Sequence, residues 1–79
     1  MKFSVTVTLK RDVLDPQGKV VEQTLINMGM SNLKGLRQGK FFEIEINESS
    51  EEVAIKQVEE MCKKLLVNLI IEDYKINKL

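Results

Sequence analysis

The chain has 79 residues, with twelve Lys plus Arg against twelve Asp plus Glu, one cysteine and no histidine. A chain this short folds as one domain, residues 1–79, and hides only about 60% of its unfolded surface, so its core is marginal and a partner would help it. Balanced charge gives no general reason to bind nucleic acid or an anionic membrane, and a chain without histidine lacks the usual general base near neutral pH and the commonest metal ligand.

In chain order, Phe3, Val5, Val7 and Leu9 alternate with Ser4, Thr6, Thr8 and Lys10, which predicts a strand with one buried face. The start, Met1 to Thr6, lacks the apolar block of a signal peptide. A lone Cys62 cannot form an internal disulfide, and a reducing cytoplasm is the expected location. After a short connection, Asp15-Pro16 opens a helix over Pro16 to Met28. Asp is a good N-cap, and Pro at the first helical position has φ already set. Val21, Leu25 and Met28 share one helix face, and Gly29 is placed as the left-handed stop.

Next come two arms, Leu33 to Arg37 and Phe41 to Ile46, separated by Gln38-Gly39-Lys40. This spacing predicts a hairpin with positive φ at the glycine, although Gly35 weakens the first arm. In the second arm Phe42, Ile44 and Ile46 share one face, and Phe41, Glu43 and Glu45 the other. Ser49 with Glu52 fits a capping box for a second helix, whose buried stripe is Ala54, Val58, Met61, Cys62 and Leu65. Glu52–Lys56, Glu59–Lys63 and Glu60–Lys64 are spaced as i,i+4 pairs on a solvated face. A last strand is expected from Leu69 to Ile76, apolar on both faces at its start. The longest apolar stretch lies near that start, Leu69-Ile70-Ile71, far short of the ~20 residues that cross a bilayer.

The expected order is βαββαβ, an α+β ferredoxin-like fold with two helices on one face of an antiparallel sheet. The other sheet face is left open, carrying Phe41, and is expected to find a partner.

Chemistry is sparse. Cys62 on the apolar stripe reads as a small buried hydrophobe, because a nucleophile needs an exposed, electropositive setting. No CxxC, HExxH, EF-hand loop, P-loop or dinucleotide fingerprint is present. An anion site at Asp15-Pro16-Gln17-Gly18 is opposed by the negative charge of Asp15 itself. An RNA-recognition motif shares this element order, and Gly39-Lys40-Phe41-Phe42 resembles its third strand. Here, however, Phe42 lies with the core residues and Phe41 sits beside Glu43 and Glu45, which repel phosphate. A dimeric regulatory domain binding a small metabolite is the alternative that composition leaves open. Of the basic residues around the hairpin, Arg37 stands out, just before a tight turn on an apolar arm, since Arg is favoured at interfaces.

The block Val13-Leu14-Asp15-Pro16-Gln17-Gly18, preceded by Val5-Thr6-Val7 and Lys10, resembles the opening of PurS proteins. Leu36-Arg37-Gln38-Gly39-Lys40 with Phe42-Glu43 resembles their hairpin, and Ile71-Glu72-Asp73-Tyr74 their last strand. The likeness covers nearly the whole chain. It implies a non-catalytic subunit of phosphoribosylformylglycinamidine (FGAM) synthase, which makes formylglycinamidine ribonucleotide in purine synthesis. The partners implied are PurQ, which releases ammonia from glutamine, and PurL, which activates the amide oxygen with ATP. The subunit would be a homodimer or dimer of dimers that bridges the two and aids ammonia transfer. ATP, Mg and glutamine would be used by the complex, with no cofactor bound by this chain. Lys10, Asp15, Arg37 and Lys40, the charged positions inside the family-like blocks, are the expected interaction residues.

Overall fold

The computed structural model describes residues 1–79. The first alternating run forms β1 (Lys2–Leu9), followed by α1 (Pro16–Asn27), β2 (Gly39–Glu45), α2 (Glu51–Met61), a wider π-helical turn over Cys62–Leu66, and β3 (Glu72–Lys78). β1 is the central strand, in the order β2-β1-β3, and both pairings are antiparallel. Val5 lies opposite Phe42 and Ile76, and Val7 opposite Lys40 and Tyr74. Cross-strand partners share a face, so the apolar residues of all three strands, Phe41 excepted, point the same way. Ala54, Val58 and Cys62 close over them, joining Phe3, Val5, Val7 and Val67 as the buried core. Full burial contributes roughly 1.5–3 kcal/mol for a Val or Phe side chain, so five of these, with Ala54 and Cys62, make a small core.

The expected α+β class and antiparallel sheet hold, in an arrangement consistent with a ferredoxin-like fold. Within it, one expected strand is absent. Residues 33–37 form no ladder, because Leu33 and Leu36, the half-buried pair, are three apart with Gly35 between them and cannot alternate. The hairpin is therefore not formed, and Gly39 has no positive φ; Gly29, at φ 108°, is the glycine that does. Gly39 is needed for space instead. It opens β2 opposite Thr8, and a Cβ there would collide with the Val7 carbonyl oxygen.

α2 begins one residue later than its expected cap. Ser50 is the N-cap, accepting from the Val53 N–H at 3.5 Å. The Glu48 carboxylate accepts from the N–H groups of Ser49 and Ser50, filling from outside the role expected of Glu52. Of the three i,i+4 pairs, Glu60–Lys64 is formed, at 3.6 Å. The expected stripe breaks at the π turn. A wider turn brings Leu66 rather than Leu65 beneath the sheet, so Leu66 packs on the core while Leu65 is 84% exposed and Met61 is also exposed. Leu69-Ile70-Ile71 lies in a turn before β3, with Ile70 85% exposed. The turn is closed by Glu72 N–H donating to the Asn68 carbonyl at 2.7 Å. The uncovered sheet face, set by Ser4, Thr6 and Thr8, is polar apart from exposed Phe41.

No residue between Val7 and Phe42 belongs to the core or packs on it. α1 and the chain returning from it therefore extend the molecule instead of thickening it. The molecule measures 50 × 25 × 14 Å with a radius of gyration of 16.0 Å, against about 12 Å for a compact chain of this length.

Candidate functional site

The four expected interaction residues meet at one end of the sheet, where β1 finishes, β2 and β3 begin and α1 starts. Asp15 is at the centre. As N-cap of α1 it turns its carboxylate back on the helix, Oδ1 accepting from the Gly18 N–H at 2.9 Å. Oδ2 accepts from the Gln38 N–H at 2.7 Å. One buried carboxylate thus joins the helix start to the residue before β2. The Gln38 N–H, then the Gly18 N–H, hold its pKa below the ordinary carboxylate range; burial opposes them and the Arg37 charge adds to them. Gly18 is glycine because a Cβ would collide with that carboxylate.

Arg37 works beside it. Nη2 donates to the carbonyls of Val13 at 2.8 Å and Lys10 at 3.1 Å, and Nη1 to that of Arg11 at 3.4 Å. The planar, many-donor guanidinium can hold three carbonyls of one bend at once. Gln38 Nε2 donates to Gln17 Oε1 at 3.1 Å, a second link from the return segment to the helix start.

The two lysines pair with β3. Lys10 Nζ reaches Asp73 Oδ1 at 2.7 Å, and Lys40 Nζ reaches Glu72 Oε2 at 3.4 Å. Glu72 is buried, and its Oε1 accepts from the Asn68 N–H at 2.7 Å. A buried carboxylate needs such partners, so Lys40 compensates a charge that the fold itself places there. Glu72, Gln38 and Gly18 escaped the sequence reading. A Gly three residues after an Asp N-cap was the available signal for Gly18; Glu72 and Gln38 had none, since their partners are distant in sequence.

No buried side-chain polar atom in the chain lacks a partner. The cluster is a joint that ties the helix start, the return segment and β3 together. No group of three His, Cys, Asp or Glu side chains converges to hold a metal. The Cys62 thiol is pushed above its ordinary pKa by burial first and by the nearby Glu59 charge second, which keeps it protonated and inert.

A second feature lies on the core side of the sheet. Beside α2, over β2, an open hollow of about 770 Å³ is floored by Phe42, Ile44 and Ile46 and walled by Met61, Leu65 and Leu66. β2 is an edge strand, so nothing of the sheet closes its outer side.

The comparisons with known proteins agree with the family resemblance seen in the sequence. The model of the PurS family, described as phosphoribosylformylglycinamidine (FGAM) synthase, matches residues 2–79. The chain is 43% identical over 74 residues to the PurS subunit of Bacillus subtilis, covering 94% of this chain and 87% of the relative. It is 40% identical over 75 residues to that of Methanocaldococcus jannaschii, covering 95% and 90%. A chain in the structure of PurLQS from Thermotoga maritima superposes with a TM-score of 0.91 at 33% identity, covering 99% of this chain and 95% of that one. The crystal structure of PurS from Methanocaldococcus jannaschii gives 0.86 at 41% identity, covering 96% and 92%.

Proposed function

The chain belongs to the PurS family of phosphoribosylformylglycinamidine synthase, and from that premise we propose that it is the small, non-catalytic subunit of this purine-biosynthetic enzyme, bridging a PurQ glutaminase and a PurL synthetase. What carries the reading is the extent of the match. It runs over residues 2–79, and a similar chain stands in a PurLQS structure. The physical character of the chain supports it. Its accessible surface is 6056 Å², against about 4,900 Å² for a compact protein of its mass. The surplus is roughly 1,200 Å², and one partner in a standard interface gives up about 800 Å². The shape therefore favours a chain that is covered by others, first by a second copy of itself.

In this reading ATP, Mg and glutamine are used by the complex, while the subunit supports assembly and the passage of ammonia. Lys10, Asp15, Arg37 and Lys40 serve docking by fixing the joint from which α1 projects. Arg37→Ala is expected to weaken assembly while the circular dichroism spectrum stays unchanged; unimpaired assembly would remove Arg37 from the set.

The test is light scattering and turnover with the cognate PurL and PurQ, glutamine and Mg-ADP for assembly, and ATP for activity. One larger species should elute. Omitting this chain should depress glutamine-dependent turnover far more than turnover at high ammonia. Full activity without it, and no co-elution, would sink the assembly role and bring forward a metabolite-binding domain.

A further inference from the structure

The polar joint at the end of the sheet has two sides. Lys10 and Lys40 pair with Asp73 and Glu72, so they tie the ends of β1 and β2 to β3. Asp15, Arg37 and Gln38 tie only residues 10–38 to one another. From Pro16 to Leu36, no hydrogen bond or ion pair reaches the sheet or α2. No apolar side chain of this stretch packs on the core either. Its half-buried residues are Glu22, Leu25, Ile26, Leu33 and Leu36. Those on α1 share one face, and Glu22 lies beside Gly35 of the return segment. α1 and the return segment thus cover each other and nothing else.

The chain leaves and rejoins the sheet at one place. Thr8 lies opposite Gly39 at the end of the β1–β2 ladder. Residues 11–38 can therefore come loose as a loop with every ladder pair still made. Opening returns conformational entropy to the whole stretch. What opposes it is one small apolar contact and the bonds of Asp15, Arg37 and Gln38.

We propose that residues 11–38 form a separate cooperative unit, which opens while the sheet and α2 stay folded, and that the bonds of Asp15, Arg37 and Gln38 are its latch. A partner that takes α1 in another direction has only this latch to release. The unit is a property of the single chain, and it stands or falls apart from the assembly reading above.

Amide hydrogen exchange of the full chain, followed by NMR at low urea concentrations, tests this. Relative to intrinsic rates, the α1 amides from Val21 to Ile26 should exchange at least about tenfold faster than the β1 amides from Phe3 to Val7. Their urea dependence should be shallower, because the opening exposes less surface. Two substitutions then separate the unit from the whole. Ser50→Ala weakens the cap of α2, a part that stays folded when the unit opens. It should speed β1 about fivefold and leave α1 unchanged. Arg37→Ala breaks the latch without touching the helix. It destabilises the closed chain against every open form, so it should speed α1 and β1 alike, about fivefold. Equal acceleration of both sets by Ser50→Ala would mean that α1 opens only with the whole chain, which overturns the proposal. Unchanged α1 exchange in Arg37→Ala would mean that the helix frays inside a closed joint, which overturns the latch.

Discussion

At the scale of residues, the joint turns on a carboxylate that must be ionised. Asp15 has a lower pKa folded than its ordinary value of 3.8. Its contribution is therefore complete above that value and is lost as pH falls through the lower folded value. Asp15→Asn keeps one acceptor oxygen and loses the charge. In urea titrations the variant should unfold earlier than the wild type at pH 7, and the gap should close as pH falls through the lowered folded value. A gap independent of pH would mean that charge plays no part in the clamp. The adjoining glycines are set by space. Gly18→Ala and Gly39→Ala should each cost about 1–3 kcal/mol through overpacking, the first against the Asp15 carboxylate and the second against the Val7 carbonyl. Gly18→Ala should cost less when Asp15 is already Ala, since the two share one contact.

Among the elements, α2 decides how the core is covered, and its start is fixed by a single hydroxyl. Ser50 caps it and Ser49 does not. Chemical unfolding should show Ser50→Ala destabilised by about 1 kcal/mol, while Ser49→Ala stays within about 0.5 kcal/mol of wild type. The reverse order would restore the Ser49 cap suggested by its spacing to Glu52. At the other end the π turn moves Leu65 from the buried stripe to the rim of the hollow. A wider turn re-aims a side chain without breaking the helix, and here it leaves Leu65 outside the core.

For the whole molecule, stability and assembly are one question. A core of seven buried residues beneath a three-stranded sheet supports an elongated chain whose α1 and return segment add none of their own. If self-association covers the surplus surface, the thermal midpoint must rise with protein concentration, because the partner binds the folded chain and not the unfolded one. Scans from about 1 to 100 µM would show it, and a constant midpoint would confine the uncovered surface to PurL, PurQ or neither.

The sequence by itself determined the elements with strong local signals. Alternation placed β1 and β2, the Asp15-Pro16 pair placed the start of α1, and Gly29 its left-handed stop. Each depends on backbone sterics or a neighbour within four residues. The family was legible too, in the Val13 to Gly18 block. Only the tertiary structure decided the rest. It removed the strand at 33–37, which had no partner to pair with. It moved β3 from Leu69 to Glu72 because a turn closed on Asn68. It gave Arg37 to the carbonyls of residues 10–13 and Lys40 to Glu72. These outcomes depend on groups brought together from 24 to 32 residues apart, and no local pattern encodes such a meeting. The hollow was invisible for the same reason: it is the space α1 leaves by standing away from its own sheet.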